Sequence, residues 1–147
     1  MEAIAHKCLE GAESNSMTFP QVVSTLMHAG FEGYSVDFRR GMVAYYLPSG
    51  ETVELPGAKP ALPVAADFNA TVVREAIREA QTLVPGYTYR GFITKIAGAG
   101  CAGYIVSFLG RRVLYFARSA ETHVEYFSSE KNSLPGSRAL KNPNNLF

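Results

Sequence analysis

Apolar positions along this chain keep two different periods, and the change from one to the other happens twice. Phe19, Val22, Val23, Leu26 and Met27 recur at the i, i+3, i+4, i+7, i+8 spacing of one helix face. Thr18 is a natural N-cap, Pro20 suits the first turn, and Gln21 stands three residues after the cap, as a capping box requires. Gly30 predicts the stop, because the residue after a helix commonly takes the left-handed conformation that only glycine adopts without steric cost. The period then drops to two. Tyr34, Val36 and Phe38 alternate with Ser35 and Asp37, which predicts a half-buried strand. "RRG" turns the chain into "MVAYYL" and "PSG" turns it into "ETVEL", so a three-stranded meander follows the helix.

The same grammar returns seventy positions later. Thr18 matches Thr88, Gly30 matches Gly100, Gly33 matches Gly103, and Tyr34, Val36 and Phe38 match Tyr104, Val106 and Phe108. Phe19 and Tyr89 form a similar rather than identical pair. A further helix precedes each unit: Ile4, Ala5, Cys8, Leu9 and Ala12 form one stripe, and Val72, Val73, Ala76, Ile77 and Ala80 form another with the same internal spacing. Asn69 or Asp67 is the expected cap of the later helix. The expected fold is therefore α+β with an internal duplication, each half being helix, helix and three-stranded antiparallel meander, related by pseudo-two-fold symmetry. The halves span about 1–55 and 67–127 as a single duplicated domain, with a Pro-rich linker at 56–66 and a flexible tail at 128–147. About seventy residues make a poor core alone, so the halves are expected to join face to face or edge to edge.

Composition narrows the classes. With 147 residues, 47% apolar and 18% charged at a net charge of +1, the chain has enough apolar surface for a core and no electrostatic support for non-specific nucleic-acid binding. No apolar run approaches the ~20 residues that cross a bilayer, and the charged N-terminus lacks a leader's apolar stretch, so a cytoplasmic protein without a membrane partner is expected. Cys8 and Cys101 lie far apart with no metal-ligand or redox spacing, which points to buried free thiols and no metal or cofactor. "GAGCAG" at Gly98 to Gly103 is no phosphate loop, since the helix precedes the glycines and the Lys-Ser/Thr pair is missing.

The runs "FPQVVSTLMHAGFEGYSVDFRRGMVAYYLPSGE", "VVREAIREAQ" and "GYIVSFLGRRVLYFARSAETHVEYF" resemble the YbcV-like family, a domain of unknown function often labelled phage envelope protein. The resemblance covers about Glu2 to Phe127 and implies no catalytic set.

The repeat also sorts candidate residues. Those present in both copies, such as Glu51 with Glu121 and Tyr34 with Tyr104, are assigned to the fold as turn formers and core anchors. Polar residues in one copy are the better functional candidates. His123 is one: matching Val53 and Glu54 to Val124 and Glu125 leaves it as an extra residue, which predicts a bulge. His123 and Glu125 then share a strand face, where the carboxylate sets the imidazole for acid–base work or simply pairs with it at the surface. Asp37, Arg39 and Arg40, echoed by Arg111, Arg112 and Arg118, are either an anion clamp or solvated hairpin tips.

Two functions follow. The favoured one is a non-enzymatic binding or assembly module: among the sheet aromatics Tyr45, Tyr46, Tyr115 and Phe116, adjacent pairs such as Tyr45 and Tyr46 point to opposite faces of a strand, which leaves an aromatic face outside the core for a partner or a second copy. The other is a small-molecule-binding protein or enzyme with a cleft between the halves, built from His123, Glu125, Asp37, Arg39 and Arg112 for an unnamed ligand. No complete catalytic constellation accompanies those residues, so an enzyme is not the preferred reading.

Overall fold

Side-chain caps start three of the four helices where the periodicity expects. In the computed structural model, which describes residues 1–127, α1 spans Glu2–Glu13, α2 Phe19–His28, α3 Ala70–Thr82 and α4 Tyr89–Gly98. Thr18 and Gln21 close a full capping box: the Gln21 amide donates to Thr18 Oγ1 at 3.3 Å and the Thr18 amide donates to Gln21 Oε1 at 2.8 Å. Asn69, rather than Asp67, caps α3, accepting from the Val72 amide at 3.1 Å. Gly30 and Gly100 leave α2 and α4 at φ of 99° and 91°. Among the described residues no helix is long and apolar enough to cross a membrane.

The strands are β1 Gly33–Asp37, β2 Met42–Tyr46, β3 Thr52–Pro56, β4 Cys101–Ser107, β5 Arg112–Ala117 and β6 Thr122–Tyr126. Each half is a meander, and the two join edge to edge through β1 and β4 into one antiparallel sheet of order β3-β2-β1-β4-β5-β6. At that seam Gly33 faces Ser107, Ser35 faces Ile105 and Asp37 faces Gly103. A side chain at Gly33 would strike the Val106 carbonyl oxygen, and one at Gly103 the Val36 carbonyl oxygen, so these two glycines permit the close approach of the central strands. The segment 57–66 carries no regular structure, as its prolines dictate.

Alternation divides the sheet into two unlike faces. Tyr34, Val36, Phe38, Val43, Tyr45, Leu55, Tyr104, Val106, Val113 and Tyr115 are buried beneath the helices, where Val23, Leu26, Val73, Ile77, Ile93 and Ile96 meet them. The ring contacts have matched geometry in the two halves. Tyr34 and Tyr45 lie 5.5 Å apart and Tyr104 and Tyr115 5.6 Å, while Tyr34 and Phe108 lie 6.4 Å apart and Phe38 and Tyr104 6.1 Å. The other face carries Ser35, Ala44, Tyr46, Ile105, Leu114, Phe116, Val124 and Tyr126, with Ile105 at 43% and Tyr126 at 47% exposure.

One expected feature is corrected. The β5–β6 ladder runs without a bulge from Arg112 opposite Tyr126 to Phe116 opposite Thr122. The register shift lies instead in β4–β5, between Cys101 and Gly103. His123 faces Tyr115 just as Val53 faces Tyr45, so it is no extra residue. Matching identical letters misplaced the register; the core-facing positions set it, because a slip of one would turn every side chain to the wrong face.

Candidate functional site

Between the helix layer and the centre of the sheet lies a cavity of about 250 Å³. Its floor is Tyr34 and Val36 of β1, Val43 and Tyr45 of β2 and Tyr104 of β4. Cys8, Leu9 and Ala12 of α1 and Phe19, Pro20 and Val22 of α2 form one wall, and Tyr89 of α4 stands in the other. The two interhelix connections frame its mouth, with Asn15, Met17 and Thr18 on one side and Leu83 and Tyr87 on the other. Asn15 ties the two sides together by accepting from the Tyr89 amide at 2.8 Å.

The walls are largely apolar, and the polar groups are the phenols together with Asn15, Thr18 and Gln81, all of them uncharged. Tyr89 and Tyr104 hydroxyls are 2.9 Å apart, and either can be the donor. Burial pushes the phenols of Tyr34 and Tyr104 far above their ordinary range, and neighbouring tyrosines, whose charges would repel, push them further. Tyr45 and Tyr89 move the same way for the same first cause, and Tyr87 is pushed up to about 12. Burial also raises the Cys8 thiol, so it stays protonated and a poor nucleophile. No ionisable carboxylate, amine or guanidinium lines this cavity among the described residues. It presents neutral hydrogen-bonding groups in an apolar setting at physiological pH.

His123 and Glu125 are brought together but lie outside that lining. The imidazole Nε2 donates to Glu125 Oε2 at 2.7 Å, and since a carboxylate only accepts, Nε2 carries the proton. Their side chains are 16% and 23% exposed, on the helix-covered face of edge strand β6. They hold the places that Val53 and Leu55 hold on β3, opposite Tyr115 and Val113 as those are opposite Tyr45 and Val43. The His123 ring lies 6.3 Å from that of Tyr115.

A family of proteins of unknown function, DUF1398, matches residues 7–129. The chain belongs to the DUF1398 family. No curated protein matches it.

The remaining candidates of this DUF1398 chain do not converge on either feature. Asp37 Oδ1 accepts from the Arg39 and Arg40 amides at 3.0 and 3.1 Å and so closes the β1–β2 turn, with both arginines exposed. Arg112 lies on the uncovered face, 4.6 Å above the Tyr126 ring, and donates to the Gly110 carbonyl at 2.9 Å. Arg118 donates to the Val64 carbonyl at 3.0 Å and pins the linker. Strand alternation sends Asp37 and Arg112 to the face opposite His123 and Glu125, and Arg39 and Arg40 sit in the β1–β2 turn. The turn roles of Glu51 and Glu121 hold: each accepts from a serine hydroxyl, Ser49 at 3.0 Å and Ser119 at 2.6 Å.

The cavity residues escaped sequence reading. Recurrence at the offset of seventy assigns Tyr34 and Tyr104 to the fold and hides their place in the cavity. The available signal was the pair Phe19 and Tyr89, where one copy carries a hydroxyl and the other does not.

Proposed function

We propose that this DUF1398 chain is a non-enzymatic binding protein for a small, neutral, largely apolar molecule, held between helices and sheet. The carrying observation is the 250 Å³ cavity with neutral tyrosine hydroxyls and no charged lining group. That volume lies above the ~150 Å³ that accommodates benzene and below the ~300 Å³ at which drug-sized sites begin, so a single substituted ring or a short-chain equivalent fits. A charged ligand would lose its hydration without a counter-charge, which costs several kcal/mol or more. The protonated thiol and neutral phenols have no general base beside them in the lining, which favours binding over catalysis.

The reading takes residues 1–127 as one duplicated domain with pseudo-two-fold symmetry. Its supports are the matched tyrosine and phenylalanine geometries and the seam where Ser35 faces Ile105, residues equivalent at the offset of seventy. The YbcV-like likeness belongs to the same proposal and adds no activity.

The test is a titration with p-xylene, a neutral single ring, against benzoate, its charged counterpart in size. p-Xylene is expected to raise the thermal midpoint and to shift the ring resonances of the lining tyrosines, whereas benzoate does neither. Ala12→Phe, which fills the cavity from α1, is expected to abolish the response. A response to benzoate alone, or none to either compound, would sink the proposal.

A second reading has its own observation. The uncovered sheet face exposes Ile105 and Tyr126 beside Leu114, Val124 and Phe116, an apolar and aromatic surface suited to self-assembly, while Tyr45 and Tyr115 take the core side. It predicts a dimer whose sedimentation reverts to monomer in Leu114→Asp. A monomer at all concentrations removes it.

A further inference from the structure

Two buried tyrosines that line the cavity, Tyr34 and Tyr45, have hydroxyls without a hydrogen-bond partner among the described residues, and for Tyr34 a counterpart elsewhere in the molecule shows what is missing. Tyr89 opens α4 directly after its cap Thr88, and its hydroxyl meets that of Tyr104 on β4 at 2.9 Å. Phe19 opens α2 directly after its cap Thr18, at the place equivalent to Tyr89, and Tyr34 on β1 is equivalent to Tyr104. Phenylalanine has no hydroxyl to offer. Tyr34 is 5% exposed, and its hydroxyl has no hydrogen-bond partner among the described residues. Both Phe19 and Tyr34 line the cavity.

A buried donor left unpaired costs more than a made bond returns, so such groups normally find a partner. Tyr34 lies in a cavity with room for one. Building on the binding reading above, we propose that the Tyr34 hydroxyl is the recognition group of this site and donates to an oxygen of the ligand. The ligand class is thereby narrowed to a neutral, apolar single ring or short chain bearing one hydroxyl, carbonyl or ether oxygen, which takes the place that the Tyr89 hydroxyl holds beside Tyr104. The β1 tyrosine selects the oxygen, and Phe19 and the α1 wall contact the apolar remainder. The asymmetry between the halves is then functional: one half closes its own hydrogen bond and the other leaves it for the ligand.

The experiment compares p-cresol with p-xylene, which differ by a hydroxyl in place of a methyl group, by titration calorimetry on the full chain. The wild type is expected to prefer p-cresol by about three- to tenfold, the value of one net hydrogen bond. Tyr34→Phe is expected to lose the preference, so that the two compounds bind it equally. Phe19→Tyr supplies the missing hydroxyl from within and is expected to lose it as well, which keeps the test decisive where Tyr34→Phe folds poorly. No preference in the wild type, or a preference kept by Tyr34→Phe or by Phe19→Tyr, overturns the role of Tyr34 while leaving the binding reading intact. Failure of both compounds to bind overturns that reading and the recognition role with it.

Discussion

At the scale of single residues, the two edge strands of the sheet differ in what they carry on the helix-covered face. Valine and leucine at 53 and 55 fill core-side positions on one edge strand, and a hydrogen-bonded histidine and glutamate fill them on the other. A partly buried pair gains little over apolar residues of similar size, whereas removing one partner strands the other. His123→Val is therefore expected to destabilise the protein by about 1–2 kcal/mol, the cost of leaving a half-buried carboxylate without its donor. His123→Val combined with Glu125→Leu is expected to restore wild-type stability or exceed it in urea denaturation. If the double variant is as unstable as the single, the pair is bound into the fold through contacts that hydrophobes cannot replace. The pairing itself was legible in the sequence, because residues two apart on a strand share a face. Which face they share was not, since that depends on the partner strand.

At the scale of elements, helix boundaries and meanders were readable because the causes are local. Thr18, Gln21, Gly30 and Asn69 act within one helical turn of themselves, and the switch from period 3.6 to period 2 marks each passage from helix to strand. The seam between the halves was not readable, because pairing of β1 with β4 joins residues about seventy positions apart. Gly33 and Gly103 record that seam in the sequence only as two glycines. Gly103→Ala is expected to cost about 1–3 kcal/mol by forcing a methyl group towards the Val36 carbonyl, where backbone must move to admit it. Gly50→Ala lacks any such neighbour and acts only through its φ of 94°, so its loss should be the smaller one. Equal losses in thermal denaturation would mean that the central strands are not closely apposed at Gly103.

At the scale of the whole molecule, the aromatic core predicts how the fold ends in alkali. Burial holds Tyr34, Tyr45, Tyr89, Tyr104 and Tyr115 neutral well above the ordinary phenol value of 10.0. Below that pH neither folded nor unfolded chain ionises them, and stability is unaffected. Above it the unfolded chain releases protons that the folded chain retains, so stability falls as pH rises. Each phenol contributes about 1.4 kcal/mol per pH unit, which makes five worth about 7 kcal/mol per unit once the unfolded state is ionised. Tyrosinate absorbance and far-UV circular dichroism are expected to change together in one steep step beginning just above pH 10. A gradual ionisation with the dichroism preserved would show that these hydroxyls reach solvent in the folded state.

The sequence by itself determined the α+β class, the four helices, the two meanders and the pairing of His123 with Glu125, since each follows from neighbours within a turn or along one strand. Only the tertiary structure decided that the meanders share a single sheet, that Tyr45 and Tyr115 face inward, and that Arg112 is separated from His123 by the thickness of that sheet. It alone brought the Tyr89 hydroxyl to that of Tyr104. Tyr34 has phenylalanine rather than tyrosine at the corresponding helix start, and a contact of that kind is made or lost by packing across the layers, which no local pattern encodes.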